Sequence, residues 1–229
     1  MSAPKPHEHL VPRYVALKAM LRELHGEMLK ALPTKVLKSA ARRLGMLADR
    51  NTIVGGDTEM ALLWDYSLYR EPAGRTTFAR RFCREMMTSK PAGDRVAVLE
   101  AVAGAHYRVM EVVSVERGVG VGVRDLLRGD ELFIIDRGFG GTVGPGFLLA
   151  SNVLEFPEFA STTGAALPIR PEEAGVVRGT LMTAGRHLAV AAKKRAKPVE
   201  ILEEEEAGLA GLVIITAIAM GWTERVEYV

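Results

Sequence analysis

One change of period, near His106, constrains this chain more than any other feature. Before it, apolar residues recur at helical spacing between turn signals. After it, HYRVMEVVSVERGVGVGVRDLLRGDELFIIDRG alternates β-branched and polar residues, with glycines at 118, 120, 122 and 129. The alternation points Val109, Glu111 and Val113 one way and Met110, Val112 and Ser114 the other. Helical spacing then resumes after Pro171. The order is therefore helices, strands, helices, with no strand-helix-strand alternation, which excludes a doubly wound parallel sheet and gives the class α+β. Four or five short strands in so small a segment suit a small SH3-like antiparallel β barrel or curled meander.

The boundaries follow from breakers. Residues 1–12 read as a mobile arm, with Pro4, Pro6 and Pro12 opposing a helix. Residues 13–105 read as a helical unit. Val15, Leu17, Leu21, Leu24, Met28 and Leu32 form its first stripe, and Thr34 is placed to cap a second helix buried through Val36, Leu37, Ala40, Ala41 and Leu44. Asp57 and Thr76 are placed to cap two further helices, and Pro91 to Asp94 breaks the chain before RVAVLEAVAGA. Residues 106–170 are the β domain, in which Arg128-Gly129-Asp130 is a hairpin turn and FLLASNVLEF a late strand. Residues 171–229 are two C-terminal helices packing on the rest. The first is opened by Pro171, Glu172 and Glu173 and ends at Lys193, Lys194 and Arg195; the second is opened by Glu203 to Glu206.

With 229 residues, 48% hydrophobic and 25% charged, the chain holds a sizeable core and is neither disordered nor collagenous. A single cysteine, Cys83, excludes an internal disulfide and a multi-cysteine zinc site. It reads as a structural thiol in a reducing cytoplasm. The start MSAPKPHEHLVPRY has no apolar core behind its charges, so no secretory signal is expected. The uncharged stretch Ala207–Thr223 is shorter than the ~20 residues a bilayer requires and contains three glycines, so a buried helix is expected and no membrane contact. The net charge of +2 hides a split: 17 basic against 10 acidic residues up to Arg95, and 13 against 18 beyond it.

Several motifs suggest chemistry. KSAARRLGM followed by Asn51-Thr52-Ile53 has the outline of a helix-turn-helix, but Gly55-Gly56 ends any recognition helix at once. Arg42 and Arg43, with Arg80, Arg81 and Arg84 on a helix whose other side is Phe78, Phe82, Cys83 and Met86, are the residues to meet nucleic acid or an acidic partner. Arg75 and Lys90 flank the second group. His7, His9, His25, His106 and His187 form no HxxxH or HExxH pair. GVGVG and GFGGTVGPG lack the GK[ST] ending and the GxGxxG spacing of phosphate loops and read as turn glycines. Glu203 to Glu206 point around a helix axis and read as solvated charge suited to the helix dipole. No catalytic, cofactor-binding or metal-binding residue is assigned. A non-contiguous active site would draw on Asp65, Tyr66, Glu111, Asp125, Asp136 or His106.

From Ala40 to Leu167 the succession AARRLGM, EMALLWDYSLYR, a Gly-Arg-Thr turn before FARRF, VLEAVAGAHYRVMEVVSVERGVGVGVRDLLRGDELFIIDRG and GFLLASNVLEF resembles uncharacterised bacterial proteins, some of which carry a C-terminal SEC-C zinc motif. Asp125, Leu126, Leu127, Gly129 and Ile134 match that group's hairpin and following strand. The resemblance implies an SH3-like β domain behind helices and a cytoplasmic bacterial setting. The cysteine-rich SEC-C ending is absent here, so zinc binding is not carried over. The expected function is a non-catalytic protein-interaction or adaptor role with an unidentified protein partner. Nucleic-acid binding through the basic helical half is the alternative, an enzyme with a dispersed site the third reading, and self-association through the apolar last helix a further expectation.

Overall fold

The structure, a computed structural model, describes residues 5–72, 76–195 and 201–225, with the surroundings of residues 140 and 186–195 outside that description. The first helix, α1 (Val11–Ala31), begins two residues earlier than the breakers suggest. Pro12 lies in its first turn, where a missing N–H leaves no hydrogen bond unmade, so this proline starts the helix instead of barring it. The expected arm is shortened further by a 3-10 turn at Glu8–Leu10. Tyr14, Leu17, Leu21, Leu24 and Met28 form the buried stripe, and Val15, expected within it, is 50% exposed.

Thr34 opens α2 (Thr34–Arg43) as its first helical residue and not as its cap, and Val36, Ala40, Ala41 and Leu44 are buried. Gly45 then takes φ 73°, and Leu47 pairs with Ile53 in an antiparallel bridge where a recognition helix would have to start. Asp57 likewise falls inside α3 (Asp57–Tyr69), whose N-terminus is closed by the Glu59 carboxylate accepting the Gly56 N–H at 2.7 Å. The cap of α4 (Phe78–Met87) is Thr77, one residue beyond Thr76: its hydroxyl accepts the Arg80 N–H. After Pro91 comes α5 (Asp94–Ala103).

Six strands follow: β1 (His106–Glu116), β2 (Gly120–Asp125), β3 (Glu131–Ile135), β4 (Leu148–Glu155), β5 (Ala160–Thr162) and β6 (Leu167–Ile169), with the one-turn helix α6 (Phe139–Thr142) between β3 and β4. β1 is long enough to pair with both β2 and β4, so the order β1-β2-β3-β5-β4 closes on itself as a five-stranded barrel, and β6 extends β4. The barrel alternative is thus the one found. A meander is excluded because β3 neighbours β5, and that closing contact, Ile134 to Ala160, is the one parallel pairing among the described strands, which otherwise pair antiparallel.

A bulge between Val112 and Ser114 shifts the register of β1. Met110 and Val112 point into the barrel as the alternation requires, but Ser114 turns outward, opposite Gly122, and Val115 packs toward the interior in its place. At Gly120 the strands approach so closely that a Cβ would fall 2.1 Å from the Ile134 carbonyl oxygen. Gly120→Ala is expected to cost about 1–3 kcal/mol in urea unfolding, whereas Gly26→Ala, with open space around its α1 position, is expected to add up to about 1 kcal/mol. Equal midpoints for the two variants would show that the close approach is not what requires glycine at 120.

Two long helices follow, α7 (Ala174–Arg195) and α8 (Glu203–Ala219), and after them a 3-10 turn at Thr223–Arg225. Three apolar clusters hold the molecule. One fills the barrel around Met110, Val121, Val123, Ile134 and Leu149. A second joins α1, α3, α4 and α5 to the barrel through Ile135, Leu154 and Phe159. The third packs α2, α3, α7 and α8 on the outer face of β1, β4 and β6. Among the described residues no helix is long and apolar enough to cross a membrane.

Candidate functional site

The five arginines singled out by sequence fall on two separate helices. Arg43, at the end of α2, pairs with Glu71 at 3.1 Å, while its neighbour Arg42 is exposed. On α4, Arg80 pairs with Glu203 and donates to the Ala103 carbonyl at 2.7 Å; Arg81 lies over the Phe78 ring at 5.4 Å; Arg84 is exposed. The contrast in charge along the chain is thus partly spent within it, since Arg80 and Arg70 of the basic half meet Glu203 and Glu206 of the acidic half. Arg75 lies outside the described residues.

The most developed polar arrangement is one that sequence reasoning missed. Glu206, grouped above with solvated glutamates, is 1% exposed and sits where α8 meets α3 and β1. It pairs with Arg70 and Arg128, lies 2.8 Å from His106 Nδ1 and accepts the Tyr107 N–H at 3.2 Å. Arg70 also donates to the Ala105 carbonyl at 2.7 Å. Burial pushes the Glu206 carboxyl up, but the His106 hydrogen bond and the charges of Arg70, His106 and Arg128 outweigh it and hold the group below the ordinary carboxylate range. Arg128 continues the chain to Asp125 at 3.3 Å, and Asp125 to Arg108 at 2.9 Å, which also reaches Asp130 and Glu155. Asp125 further accepts the Leu127 and Arg128 N–H groups, which fixes the hairpin turn; there Gly129 takes φ 80°. Arg108 carried a readable signal: it shares the inward parity of Met110 and Val112, and a cation at such a position demands carboxylate partners.

The six residues considered for a dispersed active site do not converge. Asp65 accepts from the Asn152 amide at 2.6 Å, and burial raises its carboxyl to about 6. The Tyr66 hydroxyl donates to the Ala207 carbonyl, Glu111 pairs with Arg178, and Asp125 and His106 belong to the network above. Of the six only Asp136 borders either of two surface cavities of about 520 and 290 Å³. The first lies between α1 and the barrel end, the second between the end of α3 and the start of α8.

The other motifs also have definite places. His7 stacks on Phe133 at 3.6 Å and bonds to Glu116, and His9 Nδ1 lies 3.0 Å from the Pro6 carbonyl oxygen. His25 is bonded to the Tyr69 hydroxyl, and burial lowers its imidazole to about 4. The side chain of His187 lies outside the described residues. Cys83 is fully buried, which pushes its thiol up to about 12 and keeps it protonated. No group of three or more His, Cys, Asp or Glu among the described residues is arranged to hold a metal ion.

One surface feature is apolar. On α8, Ala207, Ala210, Val213, Ile214 and Ala217 face the core, whereas Leu212 is 46% and Ile215 39% exposed on the opposite side, followed by Met220 at 52%. Gly208, Leu212, Ile215 and Ala219 recur at helical spacing along that outer side. On α7, Val176 and Met182 are also exposed.

Comparison with curated proteins gives no match, and comparison with solved structures gives none either. A family model described as a family of unknown function (DUF7986) matches residues 8–178, which covers the helical unit, the whole barrel and the first turn of α7. The chain therefore belongs to that family, DUF7986.

Proposed function

We propose that this chain is a non-catalytic protein-interaction module of the adaptor kind, docking an unidentified protein partner on the outer side of α8. The observation that carries this reading is a helix apolar on both sides with only one side covered. A helix that is apolar all round belongs in a larger core. Leu212 and Ile215 are already more than half covered, so burying the rest would contribute about 0.6–1.4 kcal/mol each. Glu204, exposed in the first turn of α8, gives the stripe an acidic end suited to a partner with a basic rim.

The double variant Leu212→Glu/Ile215→Glu tests it. Both side chains point away from the core, so helical content by circular dichroism should be retained, while proteins recovered from a lysate of the native host with the wild-type chain should be lost. Light scattering on both proteins reports self-association through the same stripe as a fall in mass. Identical recovered proteins and identical masses would reject the reading.

A second reading, nucleic-acid binding, is favoured by the barrel alone. The finer SH3-like expectation gives way in our reading to another barrel type: the order β1-β2-β3-β5-β4 with a helix between β3 and β4 is that of oligonucleotide- and oligosaccharide-binding barrels, whose ligands lie over β2 and β3. Fold analogy does not by itself assign a ligand. On that face His7 already covers Phe133, and Glu111, Glu116 and Glu131 are paired with Arg178, His7 and Arg124. Arg42 and Arg84 remain the residues to contact phosphate, and steeply salt-dependent oligonucleotide binding is the observation that would favour this reading.

A further inference from the structure

The larger cavity, about 520 Å³, opens between α1 and the barrel end formed by the β1–β2 turn and the segment after β3. Lys18 and Arg22 stand one helical turn apart on its α1 wall, and Arg137 stands on the barrel wall. Its one carboxylate, Asp136, is already engaged, accepting the N–H groups of Gly138 at 3.0 Å and Phe139 at 3.3 Å. Arg22 and Arg137 make no hydrogen bond or ion pair with any other described residue, and both are exposed. Gly118 and Gly138 leave the barrel wall without side chains there, and the exposed Val15 and Ala19 supply an apolar strip beside the cations.

Two guanidinium groups and an ammonium around a cleft match a dianionic oxyanion with several acceptor oxygens. The Tyr14 hydroxyl adds a neutral donor. Its oxygen accepts from Lys18 at 2.6 Å, and burial, reinforced by the Asp136 charge, holds the phenol well above its ordinary range, so its proton stays available. The cleft volume is that of a small-molecule site. It is not the end of a strand-binding track, because the adjoining β2–β3 face is held by the chain's own N-terminal segment, with Lys5 bonded to the Arg117 carbonyl and His7 stacked on Phe133.

We propose that this cleft binds a small phosphorylated organic molecule, its phosphate between Arg22 and Arg137 with Lys18 and Tyr14 as further donors, and its body along Val15 and Ala19. The site is independent of the α8 stripe, which lies on other elements.

Calorimetric titration of the full chain with inorganic phosphate, glucose 6-phosphate and adenosine 5′-monophosphate tests it. At least one ester is expected to bind saturably at one site and at least tenfold more tightly than inorganic phosphate. Arg22→Gln and Arg137→Gln should each weaken that ester at least tenfold, and Lys35→Gln, on α2 and outside the cleft lining, should leave it unchanged. All three positions are exposed, so folding is preserved, which circular dichroism verifies. Absence of saturable ester binding at low salt, equal affinity for inorganic phosphate, or equal losses in all three variants would overturn the proposal. Binding confined to a 5′-phosphorylated single-stranded oligonucleotide would overturn it in favour of nucleic acid.

Discussion

Glu206→Gln should destabilise the protein by about 3–5 kcal/mol in urea unfolding at pH 7, the scale on which a buried ion pair loses one partner. The substitution preserves shape and removes only charge, so the loss falls on Arg70, which is 4% exposed and would keep its cation with no carboxylate in hydrogen-bonding contact and only the more distant charge of Asp65. Arg128 retains Asp125, and His106 retains contact with solvent, so Arg70 dominates the cost. The exposed pair Arg124–Glu131 is the internal control: Glu131→Gln should cost less than about 1 kcal/mol. Replacing both Arg70 and Glu206 by apolar residues of similar size should recover much of the loss, since desolvation of two charges offsets most of their attraction. The acid limb supplies a second readout. Because the Glu206 carboxyl is depressed in the folded state, its stabilisation is complete above the ordinary carboxylate pKa and disappears as pH falls through the lower folded value. The Gln variant should lack that part of the acid transition. A loss below about 1 kcal/mol at pH 7 would mean that water reaches Arg70 and the network is not a clasp. The same variant should also weaken partner capture by α8 without touching the outer stripe, because Glu206 anchors the first turn of α8 to α3 and β1.

The division into helices, barrel and helices was legible because the hydrophobic period changes within a few residues of His106, and β4 and α8 lie where their apolar runs and first-turn glutamates place them. Elements of three residues were not. β5 and β6 are too short for alternation to register, and the parallel contact that closes the barrel rests on Ile134 and Ala160, residues far apart in sequence. Ser114 was misplaced because a bulge inserts one residue without changing composition. The polar site was legible only in part. Arg108 betrays itself by its parity in β1, but Glu206 is one of four consecutive glutamates, and only the packing of α8 against α3 and β1 selects it for burial. The arginines of α4 were found for their density, which carries no information on which carboxylate each one meets.

Asp65 and His25 oppose one another in pH, and separating them should expose a dependence that the wild-type chain conceals. Asp65 titrates near 6 in the folded protein because burial disfavours its charge, against about 3.9 in an unfolded chain. Below that lower value both states are protonated and nothing is lost; as pH rises toward 6 the unfolded state ionises first, and stability falls by about 3 kcal/mol. His25 runs the other way. Burial lowers it to about 4, against about 6.5 unfolded, so its cost is zero above pH 6.5 and grows to about 3 kcal/mol as pH falls toward 4. Between pH 4 and 6 the two slopes have opposite signs and similar size, and their sum is nearly flat. Asp65→Asn keeps an acceptor for the Asn152 amide while removing the ionisation. It should raise stability by about 2–3 kcal/mol at pH 7 and by little at pH 4, leaving a curve that climbs with pH through the His25 window. His25→Gln, which can still bond the Tyr69 hydroxyl, should leave the opposite curve, falling as pH rises from 4 to 6. Urea midpoints at pH 4, 5, 6 and 7 decide it: if the Asp65→Asn curve runs parallel to wild type across that range, the Asp65 carboxyl is solvated and its proposed penalty does not exist.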